Sequence, residues 1–99
     1  MTIPELLPLL EKVETLRGRP WAADVLTYVE DVVHRANSPS MAQSACDKVI
    51  AMCNPKAWGD IYVEEAGWAW PAWHRFLDEM SAVATQCGQA IFDHRAGGG

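Results

Sequence analysis

The final third of the chain carries apolar residues at intervals of three and four for more than twenty positions, the pattern of one helix face. Pro71 suits the start of such a helix, because its missing N–H needs no partner in the first turn. Gly88 is a weak interior position that permits close approach of another helix, and His94 is interpreted as a C-terminal cap. The pattern predicts a long amphipathic helix from Pro71 whose inner stripe comprises Trp73, Phe76, Leu77, Met80, Val83, Ala84, Cys87, Ala90 and Ile91.

The first segment of the chain has the same helical spacing. Thr2 and Glu5 form a capping-box pattern, in which the hydroxyl and the carboxylate satisfy the first amide groups. Pro8 removes a donor, so either the first turn is kinked or the regular helix begins at Pro8. Gly18 is expected to end this helix in a left-handed conformation. The buried stripe is predicted to be Leu6, Leu9, Leu10, Val13 and Leu16.

Two further helices lie between Gly18 and the tryptophan-rich part of the chain. Pro20 is suited to the first position of the second helix, and Ser38 or Ser40 to the N-cap of the third. The third helix is predicted from roughly Pro39 to Cys53, since the Asn54-Pro55 pair follows. The second helix has its apolar stripe at Trp21, Val25, Tyr28, Val29, Val32 and Ala36.

Four amphipathic helices with two short connections predict an all-α fold, a compact four-helix bundle with one long tryptophan-rich connection before the last helix. The chain has 99 residues, of which 49% are hydrophobic and 21% charged, as is typical of a globular protein. Residues 1–96 are expected to form a single helical domain. Residues 97–99 are expected to be a flexible glycine tail.

Charge and cysteine content limit where the protein is expected to be found and which partners it is expected to bind. No apolar run reaches the roughly 18 residues of a membrane span, and the N-terminus lacks the basic start of a secretory signal. Three cysteines are an odd number with no metal or redox spacing, which favours reduced thiols and a cytoplasmic location. The net charge of −5 argues against direct binding of nucleic acid, but it suits a partner protein with a basic surface.

The sequence carries no catalytic signature. Asp31 and His34 occur on a polar helix face, and His74 and Asp78 are also expected to point outward, so no metal site is predicted. The three cysteines lie on apolar faces and are interpreted as small core residues. Their positions are Cys46, Cys53 and Cys87. We therefore expect no enzymatic activity, no metal and no cofactor.

The long connection is the candidate site. Four of the five tryptophans fall between Trp58 and Trp73, and the β-like run at 61–63 is expected to be loop, with a helical turn near 56–59. Two interpretations stay open: the rings close one end of the bundle, or some of them form an exposed anchor with a charged rim. Trp70 is expected to be the most exposed ring, extended and outside the helix, because it precedes Pro71. The predicted partner-binding residues are Trp58, Asp60, Tyr62, Glu64, Glu65, Trp68 and Trp70.

These features favour a small, acidic, non-enzymatic helical protein that acts by binding another protein. Proteins of this size and charge include inhibitors of host nucleic-acid-processing or defence complexes from phages and mobile elements, such as anti-CRISPR proteins. Two alternatives stay open. In the first, the chain is a self-associating assembly subunit, such as a homodimer formed through the last helix. In the second, it is a helical bundle that binds a small molecule or a metal.

Overall fold

Four α-helices form the structure, a computed structural model that describes residues 3–97 and, among their side chains, those of residues 3–94. The helices are α1 (Leu7–Glu14), α2 (Ala23–Arg35), α3 (Pro39–Met52) and α4 (Trp70–Gly97), and no strand occurs within the described range. The predicted all-α four-helix bundle is confirmed. Single 3₁₀ turns occupy Pro4–Leu6, Pro20–Ala22, Trp58–Asp60 and Ala66–Trp68.

The two prolines of the first segment divide it into a 3₁₀ turn and a helix. Pro4 opens the turn, and α1 begins at Leu7, which places Pro8 in the first turn, where no hydrogen-bond donor is needed. The regular helix thus begins one residue before Pro8. Gly18 has a φ of +86°, which confirms its predicted left-handed conformation, but α1 ends earlier than predicted, at Glu14, and turns connect it to Gly18. Thr2, the first half of the predicted capping box, lies outside the described residues.

The start of α3 follows its predicted signal, whereas α2 begins three residues after the predicted Pro20. Pro20 opens a 3₁₀ turn, and the α-helix proper follows from Ala23. At α3 the Ser38 hydroxyl accepts a hydrogen bond from the Met41 amide at 3.2 Å, which confirms Ser38 as the N-cap. The helix ends at Met52, one residue before the predicted end, since Cys53 has left the helical conformation with a ψ of 47°.

Helix α4 is the longest of the four helices. Its 28 residues correspond to about 42 Å at 1.5 Å per residue, and it packs most extensively against α3 and also against α1. A Cβ added at Gly88 would lie 3.7 Å from the Cβ of Cys46, so this glycine sits where the two helices approach each other. No polar or charged side chain of the described residues is buried. The buried residues of α4 are Trp73, Phe76, Leu77, Met80, Ala84, Cys87 and Ile91.

The N-terminus of α4 differs from the prediction. Trp70 was expected to be extended and outside the helix, but it is the first residue of α4, and Pro71 is the second. Ala69 takes the extended position instead, with a ψ of 161°, and its carbonyl accepts the amides of Ala72 at 2.8 Å and Trp73 at 3.1 Å. These two hydrogen bonds outweigh the preference against helical backbone before a proline.

The C-terminal end of α4 reaches Gly97, where a flexible tail was expected to begin. Gly98 and Gly99, the rest of that expected tail, lie outside the described residues. Across residues 3–97, no helix combines the length and the apolar character that crossing a bilayer requires.

Candidate functional site

The tryptophan-rich connection has an inner layer of packed rings at the N-terminal end of α4. Trp68 lies with its ring centroid 5.5 Å from that of Trp21, 6.4 Å from that of Trp73 and 5.3 Å from that of Phe76. Trp21 meets Trp73 edge-on at 5.1 Å, and Trp73 stacks on Phe76 at 5.7 Å. Tilted and edge-to-face pairs at these distances stabilise the fold beyond the area they bury. The rings therefore close this end of the bundle, as one of the two interpretations has it.

Trp58 also belongs to the inner layer. Its side chain is only 5% exposed and meets the Tyr28 ring edge-on at 5.4 Å. Its carbonyl accepts a hydrogen bond from the indole N–H of Trp73 at 2.8 Å. The assignment of Trp58 to the partner-binding set is corrected accordingly: it is a core residue. Helical phasing missed this because Trp58 enters the core from a 3₁₀ turn, outside any helical stripe.

Glu65 links the connection to the segment just before α2 through a hydrogen bond and an ion pair. Its carboxylate accepts the indole N–H of Trp21 at 3.2 Å, and Arg19 Nε lies 3.5 Å from the same oxygen. At that distance Arg19 Nε makes an ion pair but, among the described residues, no hydrogen bond. The Arg19 guanidinium also lies 5.1 Å above the Trp68 ring, a cation–π arrangement. Glu65 and Trp68 thus hold the connection in place, and the charge of Glu65 is opposed locally.

A tight turn at the start of the connection depends on Asn54 and Gly59. The Asn54 carbonyl accepts the amides of Ala57 at 3.1 Å and Gly59 at 2.9 Å, and its side chain accepts the Lys56 amide at 2.9 Å. A Cβ added at Gly59 would come within 2.8 Å of the Asn54 carbonyl oxygen. Only glycine therefore fits without a shift of the backbone.

His74 joins this turn to α4. Its Nε2 lies 2.9 Å from the Gly59 carbonyl oxygen, and its ring lies 3.7 Å from the Trp70 ring. His74 was expected to point outward into solvent, but it is half-buried between the turn and Trp70. The signal that could have found it is the four-residue spacing from Trp70, which places the two side chains on one helix face.

The outer layer of the connection includes residues 61–64, which lie between two 3₁₀ turns and have extended backbone at both flanks. Ile61 has φ −67° and ψ 131°, and Glu65 has φ −126° and ψ 126°. Ile61 and Val63 are half-buried against the core, whereas Tyr62 and Glu64 are exposed. The inward side chains therefore hold this part of the connection on the core, and the outward ones face solvent. Tyr62 is 78% exposed.

Four of the predicted residues are exposed at the surface of the connection, and we refer to them together as the acidic aromatic face: Asp60, Tyr62, Glu64 and Trp70. Trp70 is 61% exposed, as expected, and the His74 contact places it beside the turn from which Asp60 projects. Residues 57–74 contain three carboxylates and no lysine or arginine. Of these carboxylates Glu65 is paired with Arg19, while Asp60 and Glu64 form no ion pair within the described residues.

Two of the three cysteines, Cys46 and Cys87, are buried, and Cys53 is half-buried. Burial raises the pKa of the Cys46 thiol to about 12, and burial with the nearby Asp78 carboxylate raises that of Cys53 to about 12. Burial also raises the pKa of Cys87. Near neutral pH such thiols are protonated and poor nucleophiles, which agrees with their interpretation as small core residues. Within the described residues, no three His, Cys, Asp or Glu side chains lie together so as to hold a metal ion.

Comparison with protein-family models, with curated proteins and with solved structures finds no match to this chain.

Proposed function

We propose that the chain is a non-enzymatic protein that acts by binding another protein through the acidic aromatic face. The observation that carries this proposal is the exposure of Trp70 and Tyr62, at 61% and 78%, in a connection whose Asp60 and Glu64 form no ion pair with the residues that the structure describes. Tryptophan and tyrosine dominate the binding free energy of many protein interfaces, and a polar rim commonly surrounds them. The other large rings of the connection are engaged in the inner layer.

The support beneath Trp70 strengthens this proposal. Its ring rests on His74, and His74 is itself held against the Gly59 carbonyl. A ring held in this way loses little side-chain entropy when a partner covers it, so more of the contact free energy contributes to binding. The same indole on a loose loop would be a poorer anchor.

The charge of the face favours a partner with a basic surface. The groove of a nucleic-acid-processing enzyme is one such surface, so an inhibitor of a host processing or defence complex, of the phage or mobile-element type, fits within the proposal. Electrostatic attraction of this kind weakens with added salt. An affinity that does not change between low and high salt would exclude a dominant electrostatic contribution and favour aromatic anchoring.

Self-association through the stripe of α4 has less support. Most of that stripe is buried, and α4 packs against α1 and α3, so little of it is left to continue across a two-fold axis. Of the predicted stripe only Val83, which is half-buried, and Ala90, which is exposed against expectation, are not buried. Sedimentation of the purified chain at micromolar concentration tests this alternative. A stable dimer would favour it, and a monomer would exclude it.

The binding proposal is tested by capture followed by reconstitution. The chain, a Tyr62→Ala/Trp70→Ala double variant and a Phe92→Ala control are immobilised and exposed to lysate of the native host, or of the infected host for a phage protein. Phe92 is also an exposed ring, at 57%, but it lies near the other end of α4. Proteins retained by the parent chain and by the control, but lost by the double variant, are identified by mass spectrometry.

The captured protein is then purified, and its affinity for all three chains is measured by calorimetry. The proposal predicts a loss of at least about tenfold in affinity for the double variant, or about 1.4 kcal/mol, and none for Phe92→Ala. Equal affinities for the three chains would refute it.

A further inference from the structure

His74 connects the exposed ring of Trp70 to the turn at the start of the connection. Its Nε2 lies 2.9 Å from the Gly59 carbonyl oxygen, and its ring centroid lies 3.7 Å from that of Trp70, with the two planes tilted by 40°. Gly59 is itself held, because its amide donates to the Asn54 carbonyl at 2.9 Å. Successive contacts therefore join the backbone just after α3 to the Trp70 ring.

The contact with Gly59 determines which nitrogen of His74 carries the hydrogen. A carbonyl oxygen only accepts hydrogen bonds, so Nε2 is the donor and carries the hydrogen in the neutral ring as well as in the charged one. Gly59 is buried, and within the described residues its carbonyl has no other donor. Because a buried acceptor without a partner is costly, the turn selects the Nε2–H form of His74 and, with it, one orientation of the ring.

We propose that His74 is a positioning residue of the protein-binding site: its Nε2–H bond to Gly59 fixes the orientation of Trp70, and it acts on a partner only through that ring. This inference rests on the proposed binding function and adds to it a residue outside the acidic aromatic face. Among the described residues, His74 has the only ring packed on Trp70, and the Trp70 indole N–H donates to none of them. The stack on His74 is thus the restraint on the indole plane, and a restrained ring loses less entropy when a partner covers it.

The first measurement uses the parent chain and needs no partner. Long-range proton–nitrogen correlation NMR at mildly alkaline pH distinguishes the two neutral forms of each histidine. His74 should be entirely in the Nε2–H form, whereas His94, which is exposed near the other end of α4, should mix the two forms. A substantial fraction of the Nδ1–H form at His74 would overturn the proposal, because that form cannot donate to Gly59.

The order of the Trp70 ring is then compared in variants of the full chain. His74→Leu removes the donor, His74→Gln keeps an N–H donor, and His94→Leu is the control at an exposed histidine of the same helix. NMR relaxation of the Trp70 indole N–H, assigned with Trp70→Phe, should give an order parameter near about 0.85 in the parent, in His74→Gln and in the control, but below about 0.6 in His74→Leu. Equal order in the parent and His74→Leu, or equally low order in His74→Leu and His74→Gln, would overturn the proposal.

A double-mutant cycle with the captured partner shows whether His74 acts through Trp70. His74→Leu should weaken binding about fivefold in the parent chain but less than about twofold in a Trp70→Ala background, where the ring that it positions is absent. Equal losses in the two backgrounds would mean that His74 acts independently of Trp70, and would overturn the positioning role. The measurement of the His74 hydrogen keeps the proposal testable if His74→Leu does not fold.

The outcome is distinct from that of the capture experiment. If the captured partner depends on Tyr62 and Trp70 but the Trp70 ring is equally ordered without His74, the binding function stands and the positioning role is wrong. If no partner depends on those two residues, the proposed function fails whatever the order of the Trp70 ring.

Discussion

The inner and outer layers of the tryptophan-rich connection have similar residue types and opposite environments. In the inner layer Trp58, Trp68 and Trp73 contact other rings, and the indole N–H of Trp73 has a hydrogen-bond partner. In the outer layer Tyr62 and Trp70 are mostly exposed. The comparison teaches that one short segment serves two purposes: its inner side chains stabilise the fold, and its outer ones are available to a partner. Substitutions in the inner layer should therefore lower the free energy of unfolding, and substitutions in the outer layer should lower the affinity for a partner.

The largest effect is expected at the centre of the inner layer. Trp73→Ala removes a fully buried ring and its hydrogen bond to Trp58, and should lower the free energy of unfolding by about 3–5 kcal/mol. Urea unfolding followed by circular dichroism measures this loss. Trp73→Phe keeps an aromatic ring and should cost less. A Trp73→Ala chain as stable as the parent would show that the inner layer is not structural.

The next effect distinguishes two glycines of the connection. Gly59→Ala should lower the free energy of unfolding by about 1–3 kcal/mol, because its Cβ would meet the Asn54 carbonyl at 2.8 Å. Gly67→Ala is the matched control, since no atom lies within 4 Å of its added Cβ, and it should change stability by less than about 0.5 kcal/mol. Urea unfolding measures both variants, and equal free energies of unfolding would contradict the close approach of Gly59 to Asn54.

The neighbouring residues Glu64 and Glu65 give a finer test of the division between the outer and inner layers. Glu65→Ala removes the acceptor of the Trp21 indole and the partner of Arg19, and should cost about 1 kcal/mol of stability. Glu64→Ala removes the neighbouring charge from the outer layer and should change stability by less than about 0.5 kcal/mol, while weakening partner binding. Both are measured by urea unfolding and by calorimetry with the partner. The reverse order of stability losses would mean that the two layers are wrongly divided.

A small loss of stability, set against a larger loss of binding, is expected at Trp70. Trp70→Ala removes a ring that touches His74 but is 61% exposed, so the cost should stay below about 1 kcal/mol. Its effect on partner affinity should be larger than its effect on unfolding. If Trp70→Ala destabilises the chain as much as Trp73→Ala does, the anchor role of Trp70 is wrong.

Helical spacing predicted the four helices because each has a clear apolar stripe and proline, glycine or serine at its ends. Ser38 and Gly18 illustrate this, since a local hydrogen bond or a backbone preference determines their roles. Spacing also separated Trp73 from Trp70 correctly in exposure. It failed for Trp58, whose burial depends on a contact with α2 that no local pattern records.

The polar contacts of the connection were beyond sequence reasoning for a similar reason. The hydrogen bond from Trp21 to Glu65 joins residues 44 positions apart, and the approach of Gly59 to Asn54 depends on the path of the turn. From the sequence, the run at 61–63 was correctly expected to be loop because no pairing strand exists in the described chain.

The exposure of Trp70 has an optical consequence. Of the five tryptophans it alone is mostly in water, so the long-wavelength edge of the intrinsic emission should come chiefly from its indole. A ligand that covers this ring would shift the emission to shorter wavelength without any attached dye. The chain therefore carries its own reporter of occupancy at the face where we expect a partner to bind.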